Sequence, residues 1–179
     1  MARYVFKSDL STDGIKNLQK QLMNYRDVIL KDKLKRIAIE LSNIGIEVAK
    51  AEVDSSPLGH YVTLKTDISP LRFGTRAILT GIGEVKYAKG REPFNLLLAI
   101  EFGAGIYYNP TPNPNASDFG LGVGTFPNQI HAFEDGWYYW DENTQSWKYT
   151  HGVRATMPFH KADVALLTNA KQIVKEVFS

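Results

Sequence analysis

Near its start the chain places Ile15, Leu18, Leu22, Tyr25 and Ile29 at intervals of three and four residues, the spacing of one helix face. Ser11 and Thr12 stand just ahead and can accept hydrogen bonds from free helix N–H groups, while Asp13 suits the positive end of the helix dipole. A longer helix follows. Leu34, Ile37, Ala38, Leu41, Ile44, Val48 and Ala49 make one stripe, and Asp54-Ser55-Ser56-Pro57 ends it. This helix carries a second stripe, Ile39, Ile46 and Val53, spaced by seven and pointing roughly away from the first. A surface helix needs only one apolar face. The second face is therefore expected under the first helix, with a subunit contact through Ile39, Ile46 and Val53 as the alternative.

Elsewhere the period shifts toward two. Residues 3–8 (RYVFKS) alternate like a short strand, and Tyr61 to Leu64 and Thr75 to Ile82 favour strands. Gly83 to Tyr87 is expected to return as a partner strand, and Glu92-Pro93-Phe94 to start a short helix whose buried part is Leu96 to Ile100. Residues 105–135 show little periodicity and hold four of the eight prolines; a loop that long is either disordered or has a job, such as reaching a partner. Trp137-Tyr138-Tyr139-Trp140, a polar turn, then Trp147-Lys148-Tyr149 read as an aromatic hairpin with Trp137 and Tyr139 on one face and Tyr138 and Trp140 on the other. Pro158 fits the first turn of a last helix, whose buried face is Ala162, Leu166, Ala170, Ile173 and Val177. The order predicts an α+β fold: N-terminal helices, a mainly antiparallel β-sheet with an aromatic hairpin, and a C-terminal helix packed on the sheet. One domain is expected over residues 1–179, with loop 105–135 inserted before hairpin 136–151.

Composition narrows the chemistry. At 44% hydrophobic and 22% charged, the 179 residues suit one globular domain that folds without metal or cross-links. No cysteine is present, which excludes disulfides, cysteine-zinc sites and thiol nucleophiles. A formal charge of +2 is small for a protein gripping duplex DNA through phosphates. No apolar run approaches a membrane span, and MARYVFKSDL lacks a secretory signal, so a cytoplasmic origin is expected.

Candidate catalytic motifs are weak. Gly120-Leu121-Gly122-Val123-Gly124 lacks the flanking strand and helix of a dinucleotide site, so a flexible loop is the better reading. His60, His131, His151 and His160 have no metal-ligand spacing, and Glu134-Asp135 and Asp141-Glu142 lie where turns are expected. No catalytic, cofactor or metal site is assigned. Trp137-Tyr138-Tyr139-Trp140 before an acidic-polar turn looks like a cell-wall or choline-binding repeat, but those modules act as tandem arrays and this chain holds one copy.

Two short signatures bracket the hairpin: Ile100-Glu101-Phe102-Gly103-Ala104-Gly105 before it, and Gly152-Val153-Arg154-Ala155-Thr156-Met157-Pro158-Phe159-His160-Lys161-Ala162 after it. An E-F-G-(T/A)-G strand end, an aromatic hairpin, then A-x-x-P-F-x-x-A opening a C-terminal helix resembles the tail-completion (neck) proteins of long-tailed double-stranded-DNA phages. The resemblance spans most of residues 11–178. Ala104 stands where that pattern usually has threonine, and loop 105–135 is longer than the pattern suggests. The resemblance implies a structural, non-enzymatic virion protein made in the bacterial host. It implies a ring of about six copies following the tail's symmetry, adjoining the head connector or stopper and the tail terminator or tube. DNA would pass its lumen without sequence-specific binding, and no membrane is involved.

Within that picture Glu101, Phe102, Gly103, Pro158, Phe159 and Ala162 are expected to hold the fold together. Glu101 should pair with a basic group in the fold or across a subunit boundary, since an unpaired buried carboxylate is costly. Gly103 and Gly105 are expected to permit a sharp bend. The expected contact residues are Trp137, Tyr138, Tyr139, Trp140, Trp147 and Tyr149 in the hairpin, with Tyr107, Tyr108, Phe119 and Phe126 in the loop. Lys31, Lys33, Lys35 and Arg36 suit a solvated helix end better than a lumen lining. The alternatives are a cell-wall or choline-binding module using the hairpin, or a hydrolase with a dispersed site that includes Glu101 or Asp141.

Overall fold

A computed structural model describes residues 4–9, 11–86, 94–105, 113–119, 134–141 and 144–179. Helix α1 (Thr12–Asn24), a π-helical segment (Tyr25–Leu30) and α2 (Lys31–Asp54) follow one another without a break. Strands β1 (Val62–Leu71) and β2 (Gly74–Gly83) come next, then β3 (Val85–Lys86), β4 (Phe94–Asn95), α3 (Leu96–Phe102), β5 (Trp137–Asp141), β6 (Ser146–Thr150) and α4 (Pro158–Phe178). Every strand pair is antiparallel, and the fold is α+β. No helix among the described residues is long and apolar enough to cross a membrane.

The N-cap of α1 is Ser11, whose hydroxyl accepts a hydrogen bond from the Gly14 N–H at 3.0 Å. The two helices expected here are one continuous helix. Wider π turns between Tyr25 and Leu30 join two stretches that each keep their own apolar phase. Residues 4–9 form no strand: Tyr4 and Phe6 lay their rings edge-on to Tyr25 at 5.0 and 5.6 Å. The alternation is real, but it serves packing on a helix.

Helices α2 and α4 pack most extensively with each other, and the core runs from that seam, with Ala49, Val53, Ala162, Ile173 and Val177, into α3, with Leu96, Ala99, Ile100 and Phe102. Helices α2 and α4 run antiparallel. The Lys33 ammonium donates to the Val177 carbonyl at one end, Gly45 faces Leu166 midway, and Glu52 pairs with Lys161 at 2.8 Å at the other. The ribbon β1–β2 packs on α2 as well. Its register runs from Val62 opposite Gly83 to Leu71 opposite Gly74. The first helix, collinear with α2, cannot fold over the second stripe as expected. Ile39 and Ile46 are half-buried, and Val53 is only 3% exposed, pressed by the turn at Gly59. Val53 therefore has no surface to offer a second subunit, contrary to expectation, because its own chain covers it.

Two further expectations need correction. Val85 and Lys86 pair with Asn95 and Phe94, not with β2, so the described strands form three separate two-stranded ribbons. Residues 94–95 belong to β4, and the short helix starts at Leu96, with the Asn95 side chain accepting from the Leu97 N–H at 2.9 Å. The C-terminal helix meets a ribbon mainly through its first turn. There the Phe159 ring sits so close to Gly81 of β2 that a Cβ on Gly81 would fall 2.6 Å from it.

Candidate functional site

The two bracketing signatures meet in space. Ala104 and Val153 exchange both backbone hydrogen bonds, at 2.8 and 2.9 Å, and the Thr156 N–H donates to the Ile100 carbonyl at 2.9 Å. Gly103 and Gly105 have φ of 82° and 90°, values that a side chain resists, which lets the chain turn out of α3. Met157 also adopts a left-handed conformation, and Pro158, fully buried, opens α4 at its first position. Phe102 and Ala162 are buried beside this junction.

Glu101 ties it together. The residue is 8% exposed, and among the described residues its carboxylate pairs with no basic side chain, contrary to expectation. One oxygen accepts from the Phe159 N–H at 2.9 Å; the other accepts from the His160 N–H at 3.1 Å and the Asn113 amide at 2.7 Å. A carboxylate at the positive end of α4, holding N–H groups with no partner inside the helix, satisfies both its own charge and the helix terminus.

Asn113 was not singled out in the sequence. It is buried, its amide also reaches the Glu101 carbonyl at 3.2 Å, and its side-chain oxygen accepts from the Asn115 N–H. An asparagine ahead of proline and a short polar turn is the available signal for such a clasp. Asn115 in turn lies 3.3 Å from His160 Nδ1. Phe119 ends this segment, mostly exposed, with its ring 5.5 Å from Phe102. Tyr107, Tyr108 and Phe126, like Gly120 to Gly124 and His131, lie outside the described residues.

The hairpin divides as its alternation predicts. Tyr138 faces Tyr149 and Trp140 faces Trp147 across the strands, with edge-to-face ring centroids 5.1 and 5.7 Å apart. These four side chains share one face and are 46–67% exposed. On the other face Trp137, half-buried, lies against Gly105 and Gly152 at the ribbon's base. Beyond it Tyr139 is exposed, and Lys148 pairs with Asp141, whose carboxylate holds the ammonium above its ordinary pKa. Among the described elements, the ribbon packs extensively only between its own strands.

The basic run is distributed among local partners. Lys33 reaches the end of α4 and lies 4.9 Å over the Phe178 ring, Lys31 pairs with Asp27 at 4.0 Å, and Arg36 with Glu40 at 3.9 Å. Lys35 is exposed. Among the described residues no cluster of histidine and acidic side chains is arranged to hold a metal ion. The chain matches no family model, no curated protein and no solved structure.

Proposed function

We propose that this chain is a structural virion protein of the phage neck, completing the head-proximal end of a tail and joining it to the head as part of a homo-oligomeric ring. The observation that carries this reading is the junction itself. The E-F-G and A-x-x-P-F signatures, more than fifty residues apart, form one unit through Glu101, the Ala104–Val153 bridge and the first turn of α4. A pattern of short motifs supports a family likeness better when its parts make one structural joint than when they scatter. In this reading Glu101 has a folding role, accepting from the first turn of α4 and from Asn113.

The working surface in this reading is the exposed face of Tyr138, Trp140, Trp147 and Tyr149. Tyrosine and tryptophan dominate the centres of protein interfaces because they bury large area with few rotatable bonds. Four such rings held on one ribbon face by cross-strand pairing are pre-organised for a neighbouring ring protein. The same face has the chemistry to stack a choline or sugar, which keeps the wall-binding alternative open to test. Electron microscopy of lysates from the parent phage with this gene deleted discriminates between them. Filled heads beside separate tails support the joining role, and intact joined particles overturn it. Retention of the purified chain on choline resin, lost on Trp140→Ala, would favour the wall-binding module.

A further inference from the structure

The ribbon β1–β2 ends in a turn whose residues neither turn chemistry nor the core explains. Its two ten-residue strands carry Arg72 and Phe73 about 30 Å from the base at Val62 and Gly83. Two-residue hairpin turns favour glycine, asparagine and aspartate, and their shape calls for no bulky side chain. Here the sequence is Pro70-Leu71-Arg72-Phe73-Gly74. Phe73 is 74% and Leu71 54% exposed, and a Cβ added at Gly74 would meet nothing within 4 Å. The Arg72 guanidinium lies 4.9 Å over the Phe73 ring.

The turn also gathers unpaired positive charge. Arg26 and Arg36 each have a carboxylate partner, Asp27 and Glu40. Among the described residues Arg72 and Arg76 have none. The register sets Arg76 opposite Ser69, on the face that also carries Leu71. Asp67, in the next pair on that face, makes no ion pair with it. Residues 69–76 thus hold two arginines and no acid, while the ribbon's other charges, Lys65 and Asp67, are one of each sign.

We infer that this tip is an anchor that enters a carboxylate-rimmed apolar pocket on an adjoining protein of the neck. The inference rests on the neck reading and names the chemistry of one of its contacts. Phenylalanine and arginine are both enriched at protein interfaces, and the planar guanidinium fork matches a carboxylate. Four side chains bury far less than the roughly 1,200 Å² of a lasting interface, so the tip anchors a larger contact and does not make one alone. Two arginines are few for a phosphate grip on duplex DNA. A bilayer would draw the ring below the headgroups and keep the guanidinium among them, pulling the stacked pair apart. A rimmed pocket takes the pair whole.

The test uses the full chain with heads and tails purified from the gene-deleted phage, binding being read by co-sedimentation. The parent chain is expected to bind one of the two particles. Phe73→Ala should weaken that binding about ten-fold or more. The pair Arg72→Glu, Arg76→Glu should weaken it further than the pair Arg72→Ala, Arg76→Ala. Lys65→Ala, on the same ribbon, should change it less than about two-fold. All variants should melt with the parent chain. A midpoint lowered by Phe73→Ala overturns the proposal, because the ring would then pack on its own chain. Equal losses from the glutamate and alanine pairs overturn the acidic rim. Parental binding by Phe73→Ala overturns the anchor and leaves the neck reading standing, whereas a chain that binds neither particle overturns both. Phe73-dependent binding to phosphatidylglycerol vesicles, or arginine-dependent binding to duplex DNA, without a Phe73-dependent particle contact, overturns the pocket in favour of lipid or nucleic acid.

Discussion

Replacing Glu101 with alanine removes the acceptor of three hydrogen bonds at once: from the Phe159 N–H, the His160 N–H and the buried Asn113 amide. A buried donor left unpaired costs about 1–3 kcal/mol, and losing a helix N-terminal acceptor about 0.5–2 kcal/mol. The Asn113 amide is buried, while the α4 amides sit at a helix end that relaxation can partly hydrate. The sum is about 3 kcal/mol. At about 2–4 °C per kcal/mol for a chain of this size, the midpoint should fall by about 6–12 °C. Thermal unfolding followed by circular dichroism reads it directly. Glu101→Gln keeps the shape and one carbonyl oxygen but turns an N–H donor toward other donors, so roughly half the loss is expected. Glu84→Ala is the control: it removes an exposed carboxylate paired only with Lys86, which matters by less than about 1 kcal/mol. If Glu101→Ala melts with the parent chain, the carboxylate does not hold the two signatures together.

The remaining expectations follow the same geometry. Gly152 has φ of 114°, and a Cβ there would lie 1.8 Å from the Ala104 carbonyl oxygen. Gly152→Ala should therefore cost about 2 kcal/mol or more in urea unfolding, and parental stability would contradict the bridge. The double change Trp140→Ala and Trp147→Ala should cost about 1 kcal/mol in melting, because both rings are exposed, yet should abolish complementation of a gene-deleted phage. Full complementation would remove this face from the contact. Asp9 accepts from the Ser11 hydroxyl and N–H, which lowers its pKa. A depressed folded value means its stabilisation of the α1 cap is present above the unfolded pKa and is lost as pH falls through the folded one. Carboxyl NMR titration checks this; a midpoint at or above the ordinary aspartate value would contradict it.

Local chemistry made part of this architecture legible in the sequence. The stop at Asp54, the Ser11 cap, Pro158 at the head of α4 and the alternation in β5 and β6 each depend on a few neighbouring residues, and all stand as expected. What pattern could not reveal depends on distant partners. Apolar spacing alone does not say whether two helices turn back on each other, and a π segment keeps these in line. Short strands such as Val85–Lys86 take whichever edge reaches them, here Phe94–Asn95. Glu101 read as an ion-pair residue because a buried carboxylate suggests a cation, but a helix N-terminus supplies the same electrostatic relief without one. Asn113 stayed hidden because its partner lies twelve residues away in the chain, and its own neighbours say only that it turns.

The decisive experiment is an in vitro joining assay. Filled heads and tails purified from the gene-deleted phage would be mixed with the purified chain, and infectious particles counted. The neck assignment calls for infectivity that rises with added protein and fails with the Trp140→Ala, Trp147→Ala double variant. Heads and tails that join equally well without the chain would contradict it.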